Sequence, residues 1–163
     1  MWPFVIFFFT HDALLIFFRI FAPEYELCLI VYVNLDSKTM ETKINDELRI
    51  AWDFVEHTGR SIFLTGKAGT GKTTFLKTVV EQSKKRSIVV APTGVAAINA
   101  GGMTIHSFFQ LPFTPYVPNA RIQSKFDFGK EKRRIIASLD LLIIDEISMV
   151  RSDLLDAIDT VLR

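Results

Sequence analysis

The residues Gly66-Lys67-Ala68-Gly69-Thr70-Gly71-Lys72-Thr73 fit the pattern G-x-x-x-x-G-K-[ST], and each fixed position has a chemical reason. Glycines let backbone N–H groups turn inward and approach phosphate oxygens with no Cβ in the way. A helix that begins beside Thr73 aims its positive end at the same anion. Lys72 then reaches the β- and γ-phosphates, and the Thr73 hydroxyl ligates Mg²⁺. Gly66, Lys67, Ala68, Gly69, Thr70, Gly71, Lys72, Thr73 and Thr74 are therefore the expected nucleotide-binding residues, with ATP and Mg²⁺ as their ligands.

About seventy residues further on, the apolar run Leu141-Leu142-Ile143-Ile144 ends in Asp145-Glu146. Alone, two carboxylates after an apolar strand are an ordinary solvated strand end. Downstream of a phosphate loop they take on roles. Asp145 is expected to hold Mg²⁺ through water, and Glu146 to orient and deprotonate an attacking water. The expected catalytic pair is thus Lys72 and Glu146, and the expected metal pair is Thr73 and Asp145. The second carboxylate favours hydrolysis over binding alone.

These residues need elements to hold them. Asn45 can cap a helix whose first turn carries Asp46 and Glu47, with Leu48, Trp52 and Val55 on one face and Gly59 as the stop. Ser61–Thr65 reads as a short strand entering the loop. A helix from Thr73 follows, apolar at Phe75, Leu76, Val79 and Val80. Ile88–Ala91 reads as a second buried strand, stopped by Pro92, and Val95–Ala100 as a short helix ended by Gly101-Gly102. From Leu111 to about Lys130 the chain reads as a long loop. Ser152 is expected to cap a last helix with Leu154, Leu155, Ile158, Val161 and Leu162 on one face. Strands that are apolar on both sides and alternate with helices predict an α/β fold, a parallel sheet covered on both faces.

The chain has 163 residues, 49% hydrophobic and 23% charged, with a net charge of +1. That suits one domain with a real core and excludes global disorder. Cys28 is the sole cysteine, so no intrachain disulfide exists, and it reads as a small apolar residue in a reducing compartment. The expected location is the cytoplasm, or the nucleus in a eukaryote. Near-neutral charge leaves nucleic-acid contacts to local patches.

Residues 1–43 differ in character from residues 44–163. Seven of the 15 phenylalanines lie in the first 21 residues. The run 4–21 is barely long enough to span a bilayer, and Asp12 near its middle costs about 2.5–3.5 kcal/mol on insertion scales, which argues against a membrane span. No basic n-region or small-residue cleavage site marks a signal peptide. Three readings are open: a membrane anchor, an accessory segment packed on the domain, or an upstream extension outside the functional unit, the last supported by Met40. Leu27–Val33 reads as a short buried strand. The expected organisation is an atypical hydrophobic segment over 1–43 and a nucleotide-binding unit over 44–163.

Phe63–Thr73 resembles motif I of the petite-integration-frequency (PIF) type DNA helicases, superfamily 1 relatives of RecD. Ala91-Pro92-Thr93-Gly94-Val95-Ala96-Ala97, followed by Gly102–Phe109, resembles their motif Ia and its extension. Leu142–Val150 resembles their motif II. The likeness covers about residues 44–163 and leaves out 1–43. It implies a RecA-like P-loop NTPase domain, ATP hydrolysis, and 5′-to-3′ translocation on single-stranded DNA in repair, recombination and genome maintenance. It also implies DNA contacts at Thr93, Gly94 and His106. On the residues alone, Thr93 reads equally as a helix cap, and His106 as a packing residue. Phe108 and Phe109 read as base-stacking rings or as core, with core expected for at least one. Arg121, Lys125, Lys130, Lys132, Arg133 and Arg134, interleaved with Phe126 and Phe128, read as a DNA path or as a solvated face. The family's adenine-reading glutamine is replaced here by Glu47 or Arg49.

In that family a strand carrying a glutamine sensor and a second RecA-like domain follow motif II. The resemblance therefore implies a motor domain truncated at its C-terminal side. In such sheets the strand after motif II lies between the phosphate-loop strand and the motif II strand, so those two are expected to face a vacant slot. Two other readings remain: a P-loop ATPase of DNA transactions working in an oligomer, and a nucleotide-binding remnant without turnover.

Overall fold

The computed structural model describes residues 4–8, 29–33, 46–67, 69–116 and 128–163. In chain order the described elements are β1 (Phe4–Phe8), β2 (Leu29–Val33), α1 (Asp46–His57), β3 (Ile62–Gly66), α2 (Lys72–Gln82), β4 (Ser87–Ala91), α3 (Gly94–Ala100), β5 (Met103–Thr104), α4 (Ile105–Phe109), α5 (Lys130–Ala137), β6 (Leu141–Ile144) and α6 (Ser152–Leu162), with a 3-10 turn at Ile147–Met149. The six strands form one sheet in the order β2-β3-β1-β6-β4-β5, and every pairing is parallel.

Alternation along the strands feeds two cores. Ile62, Leu64, Leu141 and Ile143 join Ala51 and Val55 of α1 and Phe75, Leu76 and Val79 of α2. Phe63, Leu142 and Ile144 join Phe108, Phe109, Ile136, Leu155 and Ile158 from α4, α5 and α6. A strand with both faces covered has no polar side to offer, which is why Ile62–Leu64 of β3 and the whole of β6 are apolar runs.

The expected vacant slot is filled. β1 lies between β3 and β6, with Ile6 in register with both Ile62 and Ile143, and Phe7 with both Phe63 and Ile144. The two partners of Ile6 belong to one core and the two partners of Phe7 to the other. The strand expected at Leu27–Val33 is present as β2, but it pairs with the outer edge of β3 instead of entering the slot. Residues on both sides of position 43 thus contribute strands to one sheet. No helix among the described residues is long and apolar enough to cross a membrane.

One local expectation is corrected. Ser152 is the first residue of α6 and Arg151 is its N-cap, with no side-chain capping bond. The loop expected from Leu111 has no helix or strand over 111–116 and 128–129, 117–127 lie outside the described residues, and the amphipathic α5 begins at Lys130. After Gly102, β5 and α4 stand where no element was assigned. Gly102 is more than a helix stop: a Cβ there would sit 2.2 Å from the Val89 carbonyl oxygen. Only glycine lets β5 approach β4 so closely.

At the sheet end where β4 and β6 begin, Arg86 and Asp140 clamp the two strands. The guanidinium donates to both carboxylate oxygens at 2.8 and 3.1 Å, and the Arg86 N–H donates to Oδ2 at 3.1 Å. The Arg86 bonds hold the Asp140 carboxyl at a pKa of about 2.

Candidate nucleotide and DNA site

Because all strands run parallel, their C-terminal ends share one rim, where ligands of open α/β sheets bind. β3 runs into the phosphate loop there. Gly69 and Gly71 have φ of +79° and +84°, left-handed values that a side chain would strain. Gly71 is also the N-cap of α2, so the turn that folds the loop starts the helix.

Lys72 is only 8% exposed. Its ammonium donates to the carbonyls of Gly66 and Lys67, both at 2.6 Å, and to the Thr70 hydroxyl at 3.3 Å. Its three protons therefore all meet oxygens of the loop itself. Thr70, also buried, donates its hydroxyl to the Lys67 carbonyl at 2.8 Å. Burial pushes the Lys72 pKa below the usual lysine range, and the negative charge of Glu146 opposes that shift. Thr73 and Thr74 are exposed on the first turn of α2, and Lys67 is exposed on the loop. Ala68 lies outside the described residues.

Two strands along the rim, about 10 Å at ~4.8 Å per strand, β6 delivers the carboxylates. Asp145 continues the ladder through its N–H to the Val90 carbonyl at 2.9 Å. Burial raises its pKa, the N–H that Glu146 donates to Oδ1 at 2.9 Å opposes the rise, and the Glu146 charge adds to it. Glu146 has φ +53°, a left-handed conformation that costs about 1–3 kcal/mol in a residue other than glycine. That reversal starts the 3-10 turn and holds the Glu146 carboxylate where Lys72 feels it.

The expected DNA residues sit on the same rim at the ends of β4 and β5, whose register pairs Ala91 with Thr104. Thr93 is the N-cap of α3, its hydroxyl oxygen accepting the Ala96 N–H at 3.2 Å. Gly94 follows, exposed. Thr104 caps α4 in the same way, through the Ser107 N–H. His106, on α4, stacks against Phe113 with centroids 4.7 Å apart and planes 19° from parallel. Phe108 and Phe109 are both core residues, packed edge to face and 2% and 0% exposed, so neither is a stacking platform. Phe113, which sequence reasoning passed over, is the exposed ring at 88%. Its one sequence signal is Pro112-Phe113-Thr114-Pro115, an aromatic residue in a stiff, turn-forming stretch.

Of the basic path, Arg121, Lys125 and Phe126 lie outside the described residues. Lys130, Lys132, Arg133 and Arg134 are on α5, where the Lys132 ammonium stands 3.8 Å over the Phe108 ring. Phe128 is buried.

A profile for PIF1-like helicases matches residues 43–163. The chain belongs to the PIF1-like helicase family. It is 38% identical over 111 residues to the human ATP-dependent DNA helicase PIF1, and 34% identical over 112 residues to that of Emericella nidulans. Each match covers 64% of this chain, but only 16% and 15% of the relative. Among solved structures it is similar to Bacteroides sp Pif1 in complex with ADP-AlF4, at 48% identity and a TM-score of 0.69 over 76% of this chain and 28% of that one. Bacteroides Pif1 bound to single-stranded DNA matches at 49% identity and a TM-score of 0.67, over the same shares. The chain thus spans about a sixth of those curated relatives and under a third of the solved chains. Its fold is a RecA-like α/β sheet of the PIF1 type.

Proposed function

We propose that the PIF1-like unit over residues 44–163 is the leading part of the first motor domain of an ATP-dependent DNA helicase, which binds Mg-ATP and single-stranded DNA. The cytoplasm, or the nucleus in a eukaryote, is its place of work. The observation that carries the reading is the convergence on one rim of the Lys72 ammonium with the Glu146 carboxylate, beside the capped ends of β4 and β5.

The roles follow from the geometry. Backbone N–H groups of Gly69–Lys72 and the positive end of α2 hold the β- and γ-phosphates. Lys72 exchanges loop carbonyls for phosphate oxygens, a trade that favours its charged form. A hard cation that keeps most of its waters asks for few protein oxygens, and the Thr73 hydroxyl and the Asp145 carboxylate fit that demand. Burial disfavours the charge on Asp145, and a cation would relieve that penalty. Bound there, Mg²⁺ supplies neutralising charge to the phosphate oxygens. Glu146 accepts a proton from the attacking water as its oxygen bonds to the γ-phosphorus and the bond to ADP breaks. Thr93, Gly94 and His106 contact the DNA strand. Full turnover and 5′-to-3′ movement need a second RecA-like domain, whose arginines stabilise the transferring phosphate.

Calorimetry with Mg-ATP tests the reading. Lys72→Ala should weaken ATP binding at least tenfold with the fold intact, whereas Glu146→Gln should bind normally and abolish hydrolysis in the intact helicase. Parental ATP affinity in Lys72→Ala would overturn the assignment.

A further inference from the structure

We propose that Phe113, backed by the His106 imidazole, is a platform on which one nucleobase of single-stranded DNA stacks. This rests on the reading of the chain as a DNA motor fragment, and it assigns the base contact to a residue outside the expected Thr93, Gly94 and His106.

The ring is the most exposed large apolar side chain among the described residues, at 88%. His106 covers one of its faces at 4.7 Å and 19°, so the other is turned to solvent. Such a ring would ordinarily wander. Here the loop that carries it is fixed at both ends. On one side Leu111 is buried and its N–H donates to the His106 carbonyl at 3.0 Å. On the other, the Tyr116 N–H donates to the Asp153 carboxylate at 2.8 Å, and the Tyr116 hydroxyl pairs with Thr160 at 2.9 Å. The Arg151 guanidinium holds Asp153 in turn, at 2.9 and 3.0 Å. Between the anchors, Pro112 and Pro115 restrict the backbone. A ring ordered in advance loses little freedom on binding.

The neighbourhood suits a base better than a protein. Phe113 is flanked by exposed Pro112, Thr114 and Pro115, so among these neighbours it alone offers a π face. Every base has a π face, and aromatic platforms in single-strand binders use it regardless of sequence. The ring follows β5 on the rim shared with Thr93 and Gly94, where the DNA backbone is expected. Lys132 stands over Phe108 of the same α4 that carries His106.

The experiment uses the full chain and two fluorescent probes of equal length, an oligodeoxyadenylate and its abasic sugar-phosphate counterpart. Phe113→Ala should weaken binding of the oligodeoxyadenylate about fivefold or more. Phe113→Trp should match or exceed the parent, and Phe113→Leu should resemble alanine, because it keeps apolar bulk and loses the π face. Abasic binding, ATP affinity and the salt dependence of binding should be unchanged, since no phosphate contact is removed. Parental affinity of Phe113→Ala for the oligodeoxyadenylate overturns the platform alone. Equal weakening on both probes also overturns it, because the ring would then serve the backbone or the fold. If the parent chain binds neither probe, the DNA-motor reading falls together with it.

Discussion

Replacing Ile6 by proline asks how much the sheet depends on β1. Ile6 is in register with Ile62 on one side and Ile143 on the other, so it sits at the centre of the ladder. Proline has no N–H to give and is excluded from central strands. One ladder bond is lost, about 0.5–1.5 kcal/mol, and a partner carbonyl is stranded between buried strands, about 1–3 kcal/mol more. Displacement of the strand brings the total to about 3–5 kcal/mol. At roughly 2–4 °C per kcal/mol for a chain of this size, the midpoint of thermal unfolding followed by circular dichroism should fall by about 10–15 °C. A chain beginning at Met40 should fare worse. It would leave the inner edges of β3 and β6 unpaired although Ile62, Phe63, Leu64 and Leu141–Ile144 are buried. About six stranded backbone groups at ~1–3 kcal/mol each would rival the whole stability of a domain, roughly 5–15 kcal/mol. That chain should either lose its cooperative transition or close β3 directly onto β6. Melting within 2 °C or so of the parent for both variants would refute the role of β1, and residues 1–43 would then be an extension outside the functional unit.

Two further outcomes are expected. Gly102→Ala drives a methyl group to 2.2 Å from the Val89 carbonyl oxygen, and overpacking of this kind costs about 1–3 kcal/mol; denaturant unfolding should show it, and an unshifted midpoint would mean β5 can move away freely. Because Arg86 lowers the Asp140 pKa to about 2, the clamp stabilises the fold above the ordinary value of 3.8 and fades as pH falls towards 2; carboxyl NMR titration should find that midpoint, and Arg86→Ala should return it to the ordinary range.

The phosphate loop and the Asp145-Glu146 pair were legible because their chemistry depends on close spacing along the chain. β3, β4 and β6 were legible because burial on both faces demands an unbroken apolar run. The neighbour of each strand was not. Nothing local distinguishes Phe4–Phe8 from the apolar residues that follow it, and its place between β3 and β6 is written only in pairings across the length of the chain. β5 is two residues long, too short for any period to register. The phenylalanines gave the wrong emphasis for a related reason. Residue type says that a ring prefers burial, but only the packing of α4 puts Phe108 and Phe109 inside and leaves Phe113 out. Thr93 was legible as a helix cap, and the capping bond it makes leaves its hydroxyl proton still available to donate.

The position of β1 sets the order in which this molecule can assemble. The strand at the middle of the sheet is made before both of its partners, and β6 follows it only after residues 9–140. At about 5–20 residues per second, the stretch from β1 to the end of β6 takes on the order of ten seconds to make, during which Phe4–Phe8 has no complete slot to enter. A contact of such high sequence separation is slow to form even in a finished chain. Until β6 arrives, even a β1 already paired with β3 keeps one edge open to other chains, the situation that invites edge-to-edge association. Yield of soluble protein should therefore depend on translation speed and chaperone supply more than the finished sheet, with its central strand paired on both sides, would suggest.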